Sequence, residues 1–273
     1  TMDSTLSLKA GTTATLTPTF TPAESTPAPA VAWSSDNTGV ATVNNGTVTA
    51  IKSGTATITA KVNDTTLQAT CTVTVTKADL VSVTKTSGEV TTPVAYDTAK
   101  SKIEAQLKAL KYTFTYGSGA NEETVADQTI SDWTCTPAYD GTKPGSYSFV
   151  GSVGTVKSDA ISVTVNKGAA IAVDYSKTVS VENAPDMTGD KAVESMPKTF
   201  SATVNGTTYN NLAVSNYYGA WEHPGATGVL KTGTYTYTAA PQTNAALTGL
   251  PTLSVTLTVN AKTVSNISAN LFY

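Results

Sequence analysis

Apolar and hydroxyl-bearing residues alternate in short bursts along this chain, and turn-forming residues separate the bursts. Leu6-Ser7-Leu8, Ala14-Thr15-Leu16, Val31-Ala32-Trp33, Val40 to Val43, Thr47 to Ala50, Thr55 to Lys61 and Gln68 to Val75 each set every second side chain on one face. That period of two predicts half-buried β-strands. Gly11, Gly39, Asn45-Gly46 and Gly54 fall between them, and Asn45-Gly46 predicts a tight hairpin turn because both residues tolerate positive φ. Pro18, Pro22, Pro27 and Pro29 predict a strand end and a stiff, exposed connection before Trp33. Further on, strands are predicted at 112–116, 129–135, 146–153 and 160–165. A helical period replaces the strand period only near 97–110, where Asp97-Thr98 can cap a segment with Ile103, Leu107 and Leu110 on one stripe. Such a helix would plug an open end or edge of a sandwich.

A repeat held in register organises the second and third parts of the chain. Trp133, Gly145 and Tyr147 recur 88 positions later as Trp221, Gly233 and Tyr235, and Tyr112 and Phe200 keep the same offset. An offset unbroken over such a stretch means two copies of one folded unit. After Tyr237 the later copy carries six more residues, with Ala239 to Ala245 assigned to a loop. A shorter signature runs through the whole chain: Gly54-Thr55-Ala56-Thr57-Ile58, Gly145-Ser146-Tyr147-Ser148-Phe149 and Gly233-Thr234-Tyr235-Thr236-Tyr237. Each predicts a strand opened by Gly with two inward side chains.

Composition narrows the class. Charged residues make up 14% of the 273, net charge is −3, and all 17 basic residues are Lys. Without Arg there is no planar fork for phosphate or guanine, and no basic stripe to neutralise a nucleic-acid backbone, so nucleic acid is excluded as a partner. Two cysteines do not make a disulfide scaffold. Cys71 is in phase with Val73 and Val75, and Cys135 with Trp133, so both are expected as free thiols inside separate cores. No stretch approaches the ~20 apolar residues of a membrane span, so no membrane insertion is expected in this fragment. The start, Thr1-Met2-Asp3-Ser4, is not a leader, and a leader or anchor is expected outside the fragment.

Within residues 3–76, Trp33-Ser34-Ser35-Asp36-Asn37, Val40-Ala41-Thr42-Val43, Gly46-x-Val48-x-Ala50, Gly54-Thr55-Ala56-x-Ile58 and Cys71-x-Val73-x-Val75 together resemble the bacterial immunoglobulin-like domain of group 2, the module type of invasin and intimin. Trp133, Pro144-Gly145-Ser146-Tyr147-Ser148-Phe149 and Ile161-x-Val163-x-Val165 resemble another bacterial immunoglobulin-like group, although the helix lies outside that pattern. The resemblance implies an all-β chain of three tandem immunoglobulin-like β-sandwiches, at 1–77, 78–167 (with the helix) and 168–260. Residues 261–273 would be a C-terminal tail or the start of a further unit. Trp33, Trp133 and Trp221 are then expected as core anchors. It further implies a bacterial extracellular or cell-surface location. The role would be that of a monomeric, non-catalytic adhesion module or spacer stalk, with a host or cell-surface protein or glycan as partner. The alternative is a carbohydrate-binding accessory region.

Candidate chemistry is sparse. No HExxH, CxxC or phosphate-cradling Gly loop occurs, and no catalytic residue, metal site or cofactor is assigned. His223 is the only histidine, in Trp221-Glu222-His223-Pro224-Gly225, where a loop position leaves solvated and triad readings open. The paired carboxylates Glu122-Glu123 and Asp186 with Asp190 fall in expected loops. Asp36, Asn37, Asp64, Asp79, Asp159 and Asp174 offer hard oxygens for calcium but form no ligand run. For ligand binding the candidates are Tyr217, Tyr218, Trp221 and His223: aromatic faces beside Asn216 and Glu222 suit a sugar platform if two rings face out. Lys85 with Asn166 or Asn260 is a further candidate pair, for an isopeptide cross-link.

Overall fold

The computed structural model describes residues 1–21, 29–184, 186–223 and 228–262. The expected connection at Pro22 and Pro27, and most of the tail at 263–273, lie outside the described residues. The chain is all-β, with three pairs of sheets.

The first pair holds β1 (Thr5–Lys9), β2 (Thr13–Thr15), β3 (Val31–Ser35), β4 (Ala41–Asn44), β5 (Thr47–Ala50), β6 (Gly54–Val62) and β7 (Gln68–Thr76), in the orders β1-β7-β6-β3 and β2-β5-β4. Every burst of alternation predicted in this region is a strand. β7 shows why: Cys71, Val73 and Val75 are buried while the threonines between them are exposed. Asn45 and Gly46 take φ of 47° and 82° between β4 and β5, as the hairpin turn requires.

The second pair holds β8 (Leu80–Ser87), α1 (Lys100–Ala109), β9 (Lys111–Tyr116), β10 (Glu123–Gln128), β11 (Asp132–Thr136), β12 (Gly145–Val153), β13 (Val156–Lys157) and β14 (Ile161–Val165). Its sheets are β10-β9-β8 and β11-β12-β13, with β14 also on β12. The helix stripe is as expected: Ile103, Leu107 and Leu110 are at most 1% exposed. Its start is corrected to Lys100, because Asp97 sits at φ +62°, in a turn.

The third pair holds β15 (Gly168–Asp174), β16 (Thr178–Glu182), α2 (Gly189–Ala192), β17 (Thr199–Val204), β18 (Thr207–Ala213), β19 (Gly233–Ala239), β20 (Leu247–Thr248) and β21 (Leu253–Asn260), in the orders β18-β17-β15-β20 and β16-β21-β19. The repeat is kept at the level of pairing. Thr134 opposes Val150 in the second pair, and 88 residues on Glu222 opposes Thr238. There, however, the strand expected around Trp221 shrinks to that bridge and a second one, Tyr218 opposite Pro241. α2, capped by Thr188 Oγ1 on Lys191 N, is a second helical turn that the sequence did not announce.

Gly54, Gly145 and Gly233 open β6, β12 and β19 with φ of 144°, 148° and 152°. Side chains essentially never adopt that conformation, which explains the common signature. Behind each Gly the inward positions are Ala56, Ile58 and Ala60; Tyr147, Phe149 and Gly151; and Tyr235, Tyr237 and Ala239. Large buried side chains of this kind contribute about 1.5–3 kcal/mol each.

Two expectations of burial are corrected. Trp33, Trp133 and Trp221 are half-buried rather than sealed: Trp33 and Trp133 lie on β3 and β11, which each pair on a single side, and Trp221 lies in a segment held by isolated bridges. Cys71 is buried, but Cys135 is only half-buried, its Sγ 3.2 Å from Pro137 O, since it too lies on β11.

The chain groups into two compact units. One comprises Thr1–Thr91, Ser101–Ala138 and Tyr147–Val163; the other comprises Thr92–Lys100, Tyr139–Ser146 and the chain from Thr164 onward. Inside the first unit only three residues separate β7 from β8, and Lys9 Nζ bonds both carboxylate oxygens of Asp79 at 2.7 and 2.9 Å. Glu123 accepts from Ser53 N and Oγ at 3.0 and 2.6 Å. Inside the second unit Tyr96 packs edge-on to Tyr209, 5.8 Å between centroids, and Tyr209 Oη donates to Asp97.

Candidate functional site

Residues 217–223 run between a short turn at Val214–Asn216 and the end of β19's sheet, and the added residues of the third repeat hold them there. Gln242 donates from its backbone N–H to Tyr217 O at 2.8 Å and from Nε2 to Tyr218 O at 2.7 Å. Gly219 N–H reaches Ala240 O at 2.9 Å, and Glu222 exchanges both backbone bonds with Thr238. Ala239, expected in the added loop, is instead the buried last residue of β19, and the loop that follows it acts as a splint for this segment.

The four candidate ligand residues do not share one surface. Tyr218 is 1% exposed, and its ring meets Phe200 edge-on at 5.2 Å. Its hydroxyl is buried with no partner among the described residues; burial first, and Tyr175 second, push the phenol up to about 12. Tyr217 is half-buried, edge-on to the same Phe200 at 5.4 Å. Of the two tyrosines, Tyr217 alone keeps an outward share. Trp221 packs against both hydrophobic clusters of the third sandwich, which makes it a core anchor despite its partial exposure.

His223 is a packed residue. Nε2 lies 3.0 Å from Asp190 Oδ1, the imidazole lies 5.8 Å from the Tyr237 ring, and a Cβ on Gly189 would come within 2.8 Å of it. A triad would need a nucleophile on the second nitrogen, but Nδ1 is buried and has no partner among the described residues. The other carboxylates have local roles. Asp186 pairs with Lys191, which holds its carboxyl below the ordinary range. Asp36 accepts from Thr57 N at 2.6 Å and is lowered for that reason. Lys85 bonds Gly88 O and Glu89. Among the described residues no group of three or more His, Cys, Asp or Glu could hold a metal ion.

A site that the sequence reading passed over lies in the second sandwich. A cleft of about 350 Å³ is lined by Glu104 and Lys108 of α1, by Ser131, Asp132, Trp133 and Thr134 of β11 and its approach, and by Ser152 of β12. Trp133 Nε1–H donates to Ile130 O at 3.0 Å, which fixes the indole. The available signal was the flanks: Trp133 stands between Asp132 and Thr134, whereas Trp221 stands between Ala220 and Glu222.

Residues 1–73 match the family model described as bacterial Ig-like domain (group 2), in agreement with the resemblance carried by Trp33 to Val75. No curated protein matches. Among solved structures, the chain is similar to surface layer protein SbsC, domains 1-6, at 16% identity and TM-score 0.25, covering 94% of this chain and 39% of that one. It thus spans about two fifths of that relative's length. It is also similar to an I-band fragment of titin, at 10% identity and TM-score 0.30, covering 96% and 97%. A third is a Bacteroides ovatus mixed-linkage glucan utilization locus protein, SGBP-B, in complex with a mixed-linkage heptasaccharide, at 14% identity and TM-score 0.20, covering 94% and 66%. Overlays this loose carry no inference about role.

Proposed function

We propose that this chain is a non-catalytic stretch of a bacterial surface or secreted protein, acting as an adhesion module or spacer stalk of three sandwiches at about 1–77, 78–167 and 168–260. The observation that carries the reading is the pairing of the strands that end the first module. β1, its first strand, runs parallel to β7, its last, with Leu6 opposite Val73. Inside the third module β16 runs parallel to the last strand β21 with Val181 opposite Val259, and inside the second Val94 opposes Val165 in the same sense. Tension on the first module pulls two parallel strands past one another, so the ladder bonds load together instead of opening one at a time. The bonds from Lys9 to Asp79 and from Ser53 to Glu123 further stiffen the first junction. Surface location draws support from the bacterial family matched by residues 1–73, and the role is a property of exposed faces, which fold alone does not name.

Force spectroscopy with sedimentation tests this. A monomer whose modules unfold in separate steps at high force is expected; stable self-association, or unfolding at negligible force, would remove the stalk reading. Turnover on a hydrolase panel would remove the non-catalytic one. The second reading, a carbohydrate-binding accessory region, would draw at this loop on Tyr217 and Trp221, since Tyr218 is inside.

A further inference from the structure

The buried core of the third sandwich includes a side chain that its own repeat does not supply. Tyr96 belongs to the segment between β8 and α1, yet it clusters with Phe200, Val204, Leu247 and Leu253 and is only 6% exposed. Its ring meets Tyr209 edge-on at 5.8 Å, and it fills the room beside Gly168, where a Cβ would lie 2.8 Å from that ring. Burial first, and Tyr217 second, push its phenol well above the ordinary range. The backbone beside it is tied down. Asp97 N–H donates to Gly141 O at 2.7 Å, Tyr139 Oη donates to Thr98 O at 2.7 Å, and Tyr209 Oη donates to Asp97. The joint between the first and second sandwiches is built otherwise. Among the described residues, the buried core of the first sandwich, from Ala10 to Val75, comes entirely from its own repeat. The second repeat reaches it through the half-buried Ala78 and through polar bonds such as that from Lys9 to Asp79. Residues 182–190, the matching stretch of the third repeat, include no aromatic residue, so the ring is particular to the second copy.

We propose that the third sandwich depends on the second repeat for its folding, with Tyr96 as a plug that completes its core and segments 92–100 and 139–146 holding that plug in place. Both segments group with the third sandwich rather than with the rest of their own repeat. A buried aromatic ring contributes as much to such a core as any large side chain of the repeat itself. Its loss leaves a cavity beside Tyr209 and Leu247 that the surroundings close only in part. The dependence runs one way, because the plug lies on the second repeat and its socket, Gly168, Tyr209 and Leu247, on the third. Under tension the third sandwich keeps its full resistance only while the plug is seated. The proposal rests on the division into three sandwiches and not on the stalk role.

Native-state hydrogen exchange on the intact chain is the test. Tyr96→Ala is expected to speed exchange at the core amides of β17 and β21 by about a hundredfold or more, while the first sandwich keeps its protection. Tyr96→Phe retains the ring and should stay within about tenfold of the parent chain. Tyr96→Leu, which refills part of the space, should fall between the two, and it supplies the reading if Tyr96→Ala does not fold. Faster exchange confined to β8, β9 and α1 would overturn the proposal, because Tyr96 would then be a core residue of its own repeat. Unchanged exchange in folded Tyr96→Ala would overturn it as well. Equal acceleration in all three sandwiches, the first included, would overturn the division on which the proposal rests.

Discussion

The second and third sandwiches hold a tryptophan at the same place in one repeat, and only the surroundings differ. Around Trp133 the chain places Glu104, Lys108, Asp132 and Ser152 at the rim of an open cleft. Around Trp221 it places Ala192, Met196 and a splint of added loop residues. The strand at Trp133 is a full ladder against β12; around Trp221 two isolated bridges remain. The fold therefore tolerates either a filled or an open flank at this position.

The comparison can be tested from both sides. Leu107→Ala and Met196→Ala, at corresponding buried positions, should each destabilise their own sandwich by about 2–5 kcal/mol, read separately for each by native-state hydrogen exchange. A much smaller cost for Leu107→Ala would mean that α1 is an appendage rather than part of the core. Gly151→Ala should cost about 1–3 kcal/mol: the added Cβ would lie 2.9 Å from Ile130 and 3.2 Å from Trp133, although Ala239 fills the corresponding place in the third copy without exposure. A neutral result would show that the two inner faces offer the same space.

Tyr237→Phe removes the 3.1 Å bond from its hydroxyl to Gly189 O and should cost about 0.5–1.5 kcal/mol by thermal denaturation. Glu123 distinguishes the copies by pH, since Asn211 stands 88 residues on. Burial raises its carboxyl, but the two bonds from Ser53, with the charges of Lys77 and Lys52, bring it below its ordinary value of 4.5. A lowered folded value means that the contribution is complete above about pH 4.5 and is lost as pH falls through the lower folded value. At so exposed a site it amounts to under about 1 kcal/mol. Glu123→Gln should flatten that acid limb in the first unit and leave the third sandwich's unchanged. Smallest of all, Tyr112→Phe gives the second copy the ring that Phe200 supplies in the third. Because the Tyr112 hydroxyl is buried and, among the described residues, has no well-formed hydrogen bond, with Ser158 as a polar neighbour, its removal should be neutral or slightly stabilising, and a clear loss of stability would show that the contact with Ser158 is used.

Much of the scaffold was legible from residue order. β5, Thr47–Ala50, was bounded to the residue, because alternation and the Asn45-Gly46 turn agree there. The inward stripe of α1 was equally plain. β10 and β18 were not foreseen, since Glu123 to Gln128 and Thr207 to Ala213 carry few apolar residues; they form by pairing with β9 and β17. The candidate site was less legible. Tyr217 and Tyr218 read alike as neighbours, yet one keeps an outward share and the other fills the core beneath Phe200. His223 read as a loop residue, yet it is seated against Gly189 by a partner 33 residues earlier in the chain.

Residue order alone determined the all-β class, the repeat, and the three strand-opening glycines, because period and backbone conformation are local properties of neighbouring residues. Only the tertiary structure decided what packs against each half-buried tryptophan. Exposure depends on what packs across from a side chain, and at Trp133 and Trp221 those facing residues come from helices some 30 positions earlier in the sequence, beyond the reach of any local pattern.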